Sequence, residues 1–266
     1  MKVLSGRSRG VGALLLGTLA AIALWSVTPA GGERIQRGDL VVALRGHISP
    51  LELSRKALDS VHLNIAAGLR TADGSLLPRV KRVEIGLPTQ GVISTRGLPI
   101  CTARRLRNTT SGRALAVCQD ALLGRGTVEA AVVIPGQGAF RIHAHLLAFN
   151  GPRKQGHRLL LMHAYAKQPP TVVVLPFRFE RHHERLGLTI GADLPTALGP
   201  WPHLARFKMR LGRSYRFRGR THSFLRARCP IPRRFTAGFF SLAKVTYTLI
   251  GGRRISTAIT RSCRGL

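Results

Sequence analysis

The feature that most constrains the fold is a period-two alternation of apolar and polar residues, which fills short segments after residue 38. Segments such as VKRVEIGL (80–87) and KVTYTLIG (244–251) are rich in Val, Ile, Thr and Tyr. Successive side chains of a β-strand point to opposite faces of a sheet, so this alternation is typical of half-buried strands. The sequence therefore predicts an all-β, mainly antiparallel protein.

One segment departs from this pattern. ALAVCQDALL (114–123) supplies an apolar face at helical spacing, Thr110 or Ser111 can cap its start, and Gly124 can end it. The sequence predicts one short helix near 111–123.

Four segments of the first half of the chain match four segments of the second half, in the same order. They pair 40–46 with 172–178, LNIAAGL (63–69) with LTIGADL (188–194), LPRVKRVEIGL (77–87) with WPHLARFKMRL (201–211), and 127–147 with 244–260. Chance similarity between β-patterned segments is one explanation, and an internal duplication is the other. We expect the duplication, with two similar β-sandwich-like halves over 31–169 and 170–266, or one sandwich with pseudo-symmetric halves.

The N-terminus has the pattern of a signal peptide. Lys2, Arg7 and Arg9 precede a stretch from Gly10 to Gly32 that carries no charge. The small residues of 28–30 fit a cleavage site after Ala30. We expect residues 1–30 to be removed and the mature chain to lie outside the cytoplasm, associated with the cell envelope. An uncleaved N-terminal membrane anchor is the alternative, and no further membrane span is expected.

The four cysteines fit an oxidising compartment. Cys101, Cys118, Cys229 and Cys263 contain no C-x-x-C pair, which disfavours a tetrathiolate zinc site. Three disulfide pairings are possible. We prefer Cys101 with Cys118 and Cys229 with Cys263, because each bridge then closes a loop within one half of the chain.

A resemblance to a known family rests on four segments: STRGLPIC (94–101), RRLRNTT (104–110), LGPWPHLARF (198–207) and CPIPRRFTAGFFS (229–241). They resemble stretches of a family of predicted secreted bacterial proteins that has no assigned activity. The resemblance covers nearly the whole mature chain. It implies export and a repeated β architecture, and it carries over no functional residue.

Catalytic motifs are absent from the sequence, which contains no G-x-S-x-G, Walker or H-E-x-x-H pattern. The best metal ligands are His143 and His145, which share one strand face, with His163 on the next predicted strand as a third. An exported, metal-assisted hydrolase using these histidines is therefore the alternative function. However, the alternation of FRIHAHLL (140–147) places His143 and His145 on the solvent face, so we expect no metal and no cofactor.

The charge distribution is the most informative functional feature. The chain has 42 Lys and Arg against 11 Asp and Glu, for a net charge of +31. Residues 194–266 contain 16 Lys or Arg and no acidic residue, although average composition would place about nine acids there. An arginine-rich composition alone does not explain missing carboxylates.

The cations of this stretch alternate with apolar residues, which predicts a cationic face on three neighbouring strands. The expected polyanion-binding residues are Arg206, Lys208, Arg210, Arg216, Arg218, Arg226 and Arg228. Like charges on adjacent strands repel, so bound anions would stabilise such a face. A solvated face neutralised by salt is the simpler alternative.

These features favour an exported, non-catalytic binding or structural protein that associates with anionic envelope polymers or anionic lipid headgroups. Arginine suits such partners because it binds phosphate through paired hydrogen bonds. A specific nucleic-acid binder is disfavoured because no nucleic-acid-binding motif is recognisable.

The first prediction concerns processing. We expect the exported protein to begin at Gly31, because the small residues of 28–30 follow an uncharged apolar stretch. N-terminal sequencing of the extracellular form measures this, and an intact Met1 on a cytoplasmic product would contradict it.

Overall fold

The computed structural model describes residues 33–133, 136, 138–182, 186–195 and 202–266. The expected signal peptide, residues 1–30, and its cleavage site lie outside these ranges. Among the described residues, no helix has the length and apolar character needed to cross a bilayer.

Strands dominate the described chain. They are β1 Glu33–Arg37, β2 Leu40–Ser49, β3 Glu52–Leu53, β4 Asp59–Ser60, β5 His62–Thr71, β6 Val80–Leu87, β7 Gly91–Ile93, β8 Leu122–Val132, β9 Phe140–Lys154, β10 His157–Lys167, β11 Pro170–Arg181, β12 Leu188–Asp193, β13 Pro202–Leu211, β14 Ser214–Phe217, β15 Arg220–Ser223, β16 Leu225–Ala227, β17 Ala237–Leu249 and β18 Arg254–Gly265.

Thirteen of these strands form one long sheet, in the order β1-β2-β5-β13-β8-β9-β10-β11-β12-β6-β17-β18-β3. Neighbours pair antiparallel except β18 and β3, which are parallel. Two small sheets, β14-β15 and β4-β16-β7, accompany it. The all-β, mainly antiparallel class is thus confirmed, but one long sheet stands where two sandwich-like halves were expected.

The long sheet curls, and β18 returns to lie against β1 and β2. Arg261 of β18 donates from Nε to the Gly46 carbonyl of β2 at 2.8 Å. The inward side chains of the curl form the main core, which includes the buried residues Leu44, Ile65, Phe177, Phe207, Tyr247 and Ile259. Removing this apolar surface from water is the main stabilisation available to such a sheet.

Each expected half has a strand that lies among the strands of the other half. β13 lies between β5 and β8, and β6 lies between β12 and β17. The expected boundary at residue 169 falls in the turn between β10 and β11, which pair directly. Each half therefore contributes a strand to the middle of the other.

The helical segment contains α1 (Ala103–Leu106), α2 (Ser111–Cys118) and a 3₁₀ turn over Gln119–Ala121. The Thr110 side chain caps α2 by accepting from the Arg113 backbone N–H. The predicted helix near 111–123 is therefore present but shorter, because Leu122 and Leu123 already belong to β8. The four residues of α1 are too few to show a helical period in the sequence.

This segment packs on the outside of β9 and β10 and forms a second, smaller core. Leu106 and Ala114 are buried against Phe149 and Leu161. Cys101 and Cys118 are bridged across the segment with Cα atoms 5.6 Å apart, and Cys229 and Cys263 are bridged with Cα atoms 5.9 Å apart. The preferred disulfide pairing is confirmed.

His163 of β10 anchors the helical segment to the sheet. Its ring is fully buried, and Nε2 lies 2.9 Å from the Thr109 carbonyl oxygen. A carbonyl can only accept, so Nε2 carries the proton of a neutral ring, and Nδ1 is buried with no hydrogen-bond partner among the described residues. Burial is the main cause that lowers the pKa of His163, and the bond to Thr109 opposes it.

We predict that each disulfide contributes roughly 3–4 kcal/mol to the free energy of unfolding, because each closes a loop that restricts the unfolded chain. The sequence separations are 17 and 34 residues. Denaturant unfolding of the Cys101→Ser/Cys118→Ser and Cys229→Ser/Cys263→Ser variants measures this. Unchanged unfolding midpoints in both variants would show that the bridges do not stabilise the fold.

We predict that acid destabilises the protein through His163 and also through His203, whose pKa is lowered chiefly by burial. A lowered pKa means that, below about pH 6.5, the unfolded chain takes up a proton that the folded chain refuses. The free energy of unfolding should therefore fall as the pH drops below that value, by up to about 1.4 kcal/mol per pH unit for each histidine. Unfolding at several pH values measures the slope.

His163→Gln should reduce this slope, because it removes one of the two histidines whose pKa is lowered chiefly by burial. Equal slopes for the wild type and His163→Gln would exclude His163 as the titrating group.

Candidate anion-binding groove

The alternation predicted for β13 is present. Phe207, Met209 and Leu211 are buried in the main core, and Arg206, Lys208 and Arg210 are exposed on the opposite face. Sequence reasoning therefore identified the outward face of this strand correctly.

The other four predicted cations do not continue this face. Arg216 lies on β14, Arg226 on β16 and Arg228 after it, and neither strand pairs with β13. Arg218 has φ of 50° and lies with Gly219 in the tight turn of the β14–β15 hairpin. The expectation of three neighbouring strands was wrong, because strands close in the sequence belong here to three different sheets.

The true neighbours of β13 are β5 and β8. Lys208 pairs with Ala66 of β5 and with Thr127 of β8. β8 approaches closely, since a Cβ on the neighbouring Gly126 would collide with the Lys208 carbonyl oxygen. Lys208 thus stands between small, uncharged partners, whereas Arg206 and Arg210 pair with the charged residues Glu129 and Arg125 of β8.

A groove of about 410 Å³ lies along β13, β5, β2 and β1. Two rows of outward side chains cross it in the register of the strands. From β1 to β13 the first row is Arg34, Ala43, Gly68 and Arg206. From β2 to β13 the second row is Arg45, Ala66 and Lys208.

Small residues form the floor of this groove and cations form both walls. The first row spans three inter-strand spacings, roughly 14 Å, between the backbones of Arg34 and Arg206. Arg70, at the end of β5, also lines the groove and is tied to its own strand by a bond from Nη1 to the Thr71 carbonyl. Five cationic side chains therefore border a shallow channel: Arg34, Arg45, Arg70, Arg206 and Lys208.

One carboxylate borders this surface among the described outward residues of β1, β2, β5, β13 and β8. Glu129 of β8 lies 4.0 Å from Arg206 and 3.9 Å from the ring of His143. It offsets part of the charge of Arg206, and the described structure places no carboxylate within ion-pair distance of Arg34, Arg45, Arg70 or Lys208.

Three acidic residues gather elsewhere, around β6. Arg82 forms ion pairs with Glu84 at 3.1 Å, Asp193 at 3.4 Å and Glu180 at 3.6 Å, and Arg254 reaches Glu84 at 3.3 Å. Partial burial would lower the pKa of the Arg82 guanidinium, but Glu84 and Asp193 raise it overall. The surface of β6 is therefore nearly neutral where that of β13 is cationic.

Arg210 continues the cationic line beyond the groove. It pairs across strands with Arg125 of β8, and both line a neighbouring depression with Arg213. Arg213 is held in place by bonds from Nη1 to the carbonyls of Gln119 and Leu122.

The structure separates the three histidines of the alternative function. His143 and His145 are exposed on β9, whereas His163 is covered by the helical segment and bonded to Thr109. Within the described ranges, no group of three or more His, Cys, Asp or Glu side chains is arranged to hold a metal ion.

Sequence reasoning missed Arg34, Arg45 and Arg70. Arg45 and Arg70 each follow the alternation of their strand, and Ala66 and Gly68 show small residues at outward positions of LNIAAGL. This local pattern could have predicted that Arg45 and Arg70 point outward, but it does not predict that β5 and β13 are neighbours.

Comparisons with models of protein families, with curated proteins and with solved structures found no match to this chain.

Proposed function

We propose that this protein is an exported, non-catalytic binding protein whose groove along β13 holds an anionic polymer of the cell envelope. The observation that carries the proposal is the set of five cations around a floor of Ala43, Ala66 and Gly68. Arginine and lysine in such a channel bind phosphate groups through charge-assisted hydrogen bonds. An anion in the groove would also relieve repulsion among these like charges.

The shape of the groove favours a linear chain over a bilayer surface. The floor residues are partly covered between the cationic walls, so a flat array of lipid headgroups meets the walls but not the floor. A polymer strand can lie along the floor and place successive charges against Arg206 and Lys208, whose Cα atoms are about 6.6–6.8 Å apart.

We also propose that the two halves of the chain arose by duplication and exchange one strand. The set β2-β5-β13-β8-β9 has the same order as β11-β12-β6-β17-β18, with β13 and β6 each supplied by the other half. In the alignment of the two halves, Gly68 corresponds to Asp193, and Arg206 corresponds to Arg82. Gly68 pairs with Arg206 between β5 and β13, and Asp193 pairs with Arg82 between β12 and β6.

A second register supports the same proposal. Thr127 pairs with His145, and the matched residues Lys244 and Ala258 also pair. Under this correspondence, Arg206, Lys208 and Arg210 match Arg82, Glu84 and Gly86, where ion pairs neutralise the surface. Anion binding is therefore proposed for one copy only.

The duplication can be tested in related sequences. If their segments 77–87 and 201–211 match each other no better than unrelated strands do, the result would count against duplication.

We predict that Arg206→Ser/Lys208→Ser weakens retention on immobilised polyphosphate and lowers the slope of log affinity against log salt by roughly two. Each neutralised phosphate contributes nearly one to that slope through release of counterions. The core residues Phe207 and Met209 are unchanged, so the fold should be retained. Retention is measured across a series of salt concentrations, with vesicles of phosphatidylglycerol and phosphatidylcholine as a second surface.

The matched control is Arg216→Ser/Arg218→Ser, which removes the same charge from the separate hairpin. It should change the slope much less than the groove variant does. Equal losses from both variants would show that only net charge matters, and stronger retention on vesicles than on polyphosphate would favour lipid headgroups as the partner.

A further inference from the structure

A second cleft lies at one end of the curled sheet. It opens between the β9–β10 turn, the end of β11 and β7, and has a volume of about 850 Å³. This volume is within the range of small-molecule sites, which is roughly 300–1,000 Å³. The cleft shares no lining residue with the groove along β13, so it is a separate site.

Three arginines converge on this cleft. Arg153 and Arg158 lie directly opposite each other on β9 and β10, and Arg181 ends β11. Like charges in directly opposed positions destabilise a strand pair. Among the described residues that line the cleft, no Asp or Glu offsets them.

Arg158 is the fixed member of this group. It is half-buried, and Nη1 donates to the Thr95 hydroxyl at 2.8 Å. Burial, and then the charges of Arg153 and Arg181, lower the pKa of its guanidinium. An arginine nevertheless stays charged in proteins, so the repulsion remains until an anion enters.

The other wall of the cleft is apolar and leads inward. Pro88, Val92, Ile93 and Leu188 line the cleft and also line a neighbouring apolar cavity of about 50 Å³. That cavity lies between the core and the small sheet β4-β16-β7, and most of its remaining lining is aliphatic. Arg226 also lines it, with Nε buried and without a hydrogen-bond partner among the described residues.

We propose that this cleft binds a small amphiphile with an anionic phosphate headgroup and a single alkyl chain. The headgroup lies among Arg153, Arg158 and Arg181, where paired hydrogen bonds to phosphate replace the mutual repulsion. The alkyl chain of the ligand lies over Val92, Ile93 and Leu188 and points toward the neighbouring apolar cavity, which removes apolar surface from water. This site goes beyond the proposed groove function and does not depend on it.

The test is calorimetric titration of the full mature chain with dodecyl phosphate, kept below its critical micelle concentration. Inorganic phosphate and neutral dodecyl maltoside are titrated in parallel. We expect dodecyl phosphate to bind at least tenfold more tightly than either, because each of them lacks one half of the recognition. If inorganic phosphate binds as tightly as dodecyl phosphate, the proposed role of the alkyl chain is wrong. If dodecyl maltoside binds as tightly, the proposed role of the phosphate headgroup is wrong.

Arg153→Gln/Arg181→Gln should weaken dodecyl phosphate binding by roughly tenfold or more, because the variant loses the charge-assisted hydrogen bonds of two guanidinium groups to the phosphate. Both side chains are exposed, so the fold should persist, and the single variant Arg181→Gln provides a milder second test. The matched control Arg104→Gln/Arg105→Gln removes the same charge from exposed positions on α1 and should bind as the wild type does. Unchanged binding in the cleft variants, or an equal loss in the control, would overturn the site.

Discussion

The pairing of β13 between β5 and β8 is the interaction on which the rest of the structure depends. It joins Arg206 to Gly68 and Glu129, residues far away in the sequence, and so closes the gap between two groups of strands. The same pairing turns Phe207 and Met209 into the core. The surroundings of the β13 cations depend on this contact, because pairing with β5 brings β13 to the same groove as Arg45 and Arg34.

The reciprocal pairing of β6 explains the electrostatic asymmetry of the sheet. β6 lies beside β12 and β17, and its Arg82 collects Glu84, Glu180 and Asp193. This cluster contains three of the 11 acidic residues of the chain. Among the described cations of the groove, only Arg206 has a carboxylate within ion-pair distance, so the surface of β13 is cationic where that of β6 is nearly neutral.

The sequence predicted part of the candidate groove and not the whole. The outward positions of Arg206 and Lys208 follow from alternation within one strand, so they were found. Arg216 and Arg226 also alternate with apolar residues, but their strands pair in other sheets. Alternation tells which face a residue occupies, and it does not tell which strand lies next to that face.

The helical segment was also predicted only in part. Thr110 and the apolar face after it are local signals, and α2 begins where they predict. The end of α2 was placed too late because Leu122 pairs with Phe149 of β9 and Leu123 packs in the main core. Tertiary pairing overrode a weak local preference.

The sequence left three disulfide pairings open, although the preferred one is the one present. By itself it determined the β class, the inward and outward sides of β13 and the start of α2. Each of these follows from spacing within one stretch of chain. Only the tertiary structure decided the strand order, the positions of β6 and β13 within it, the burial of His163 under Thr109, and the two arginine-lined surfaces. The physical reason is that strand pairing and side-chain packing join residues far apart in the chain, and many pairings satisfy the same local alternation until the whole core is assembled.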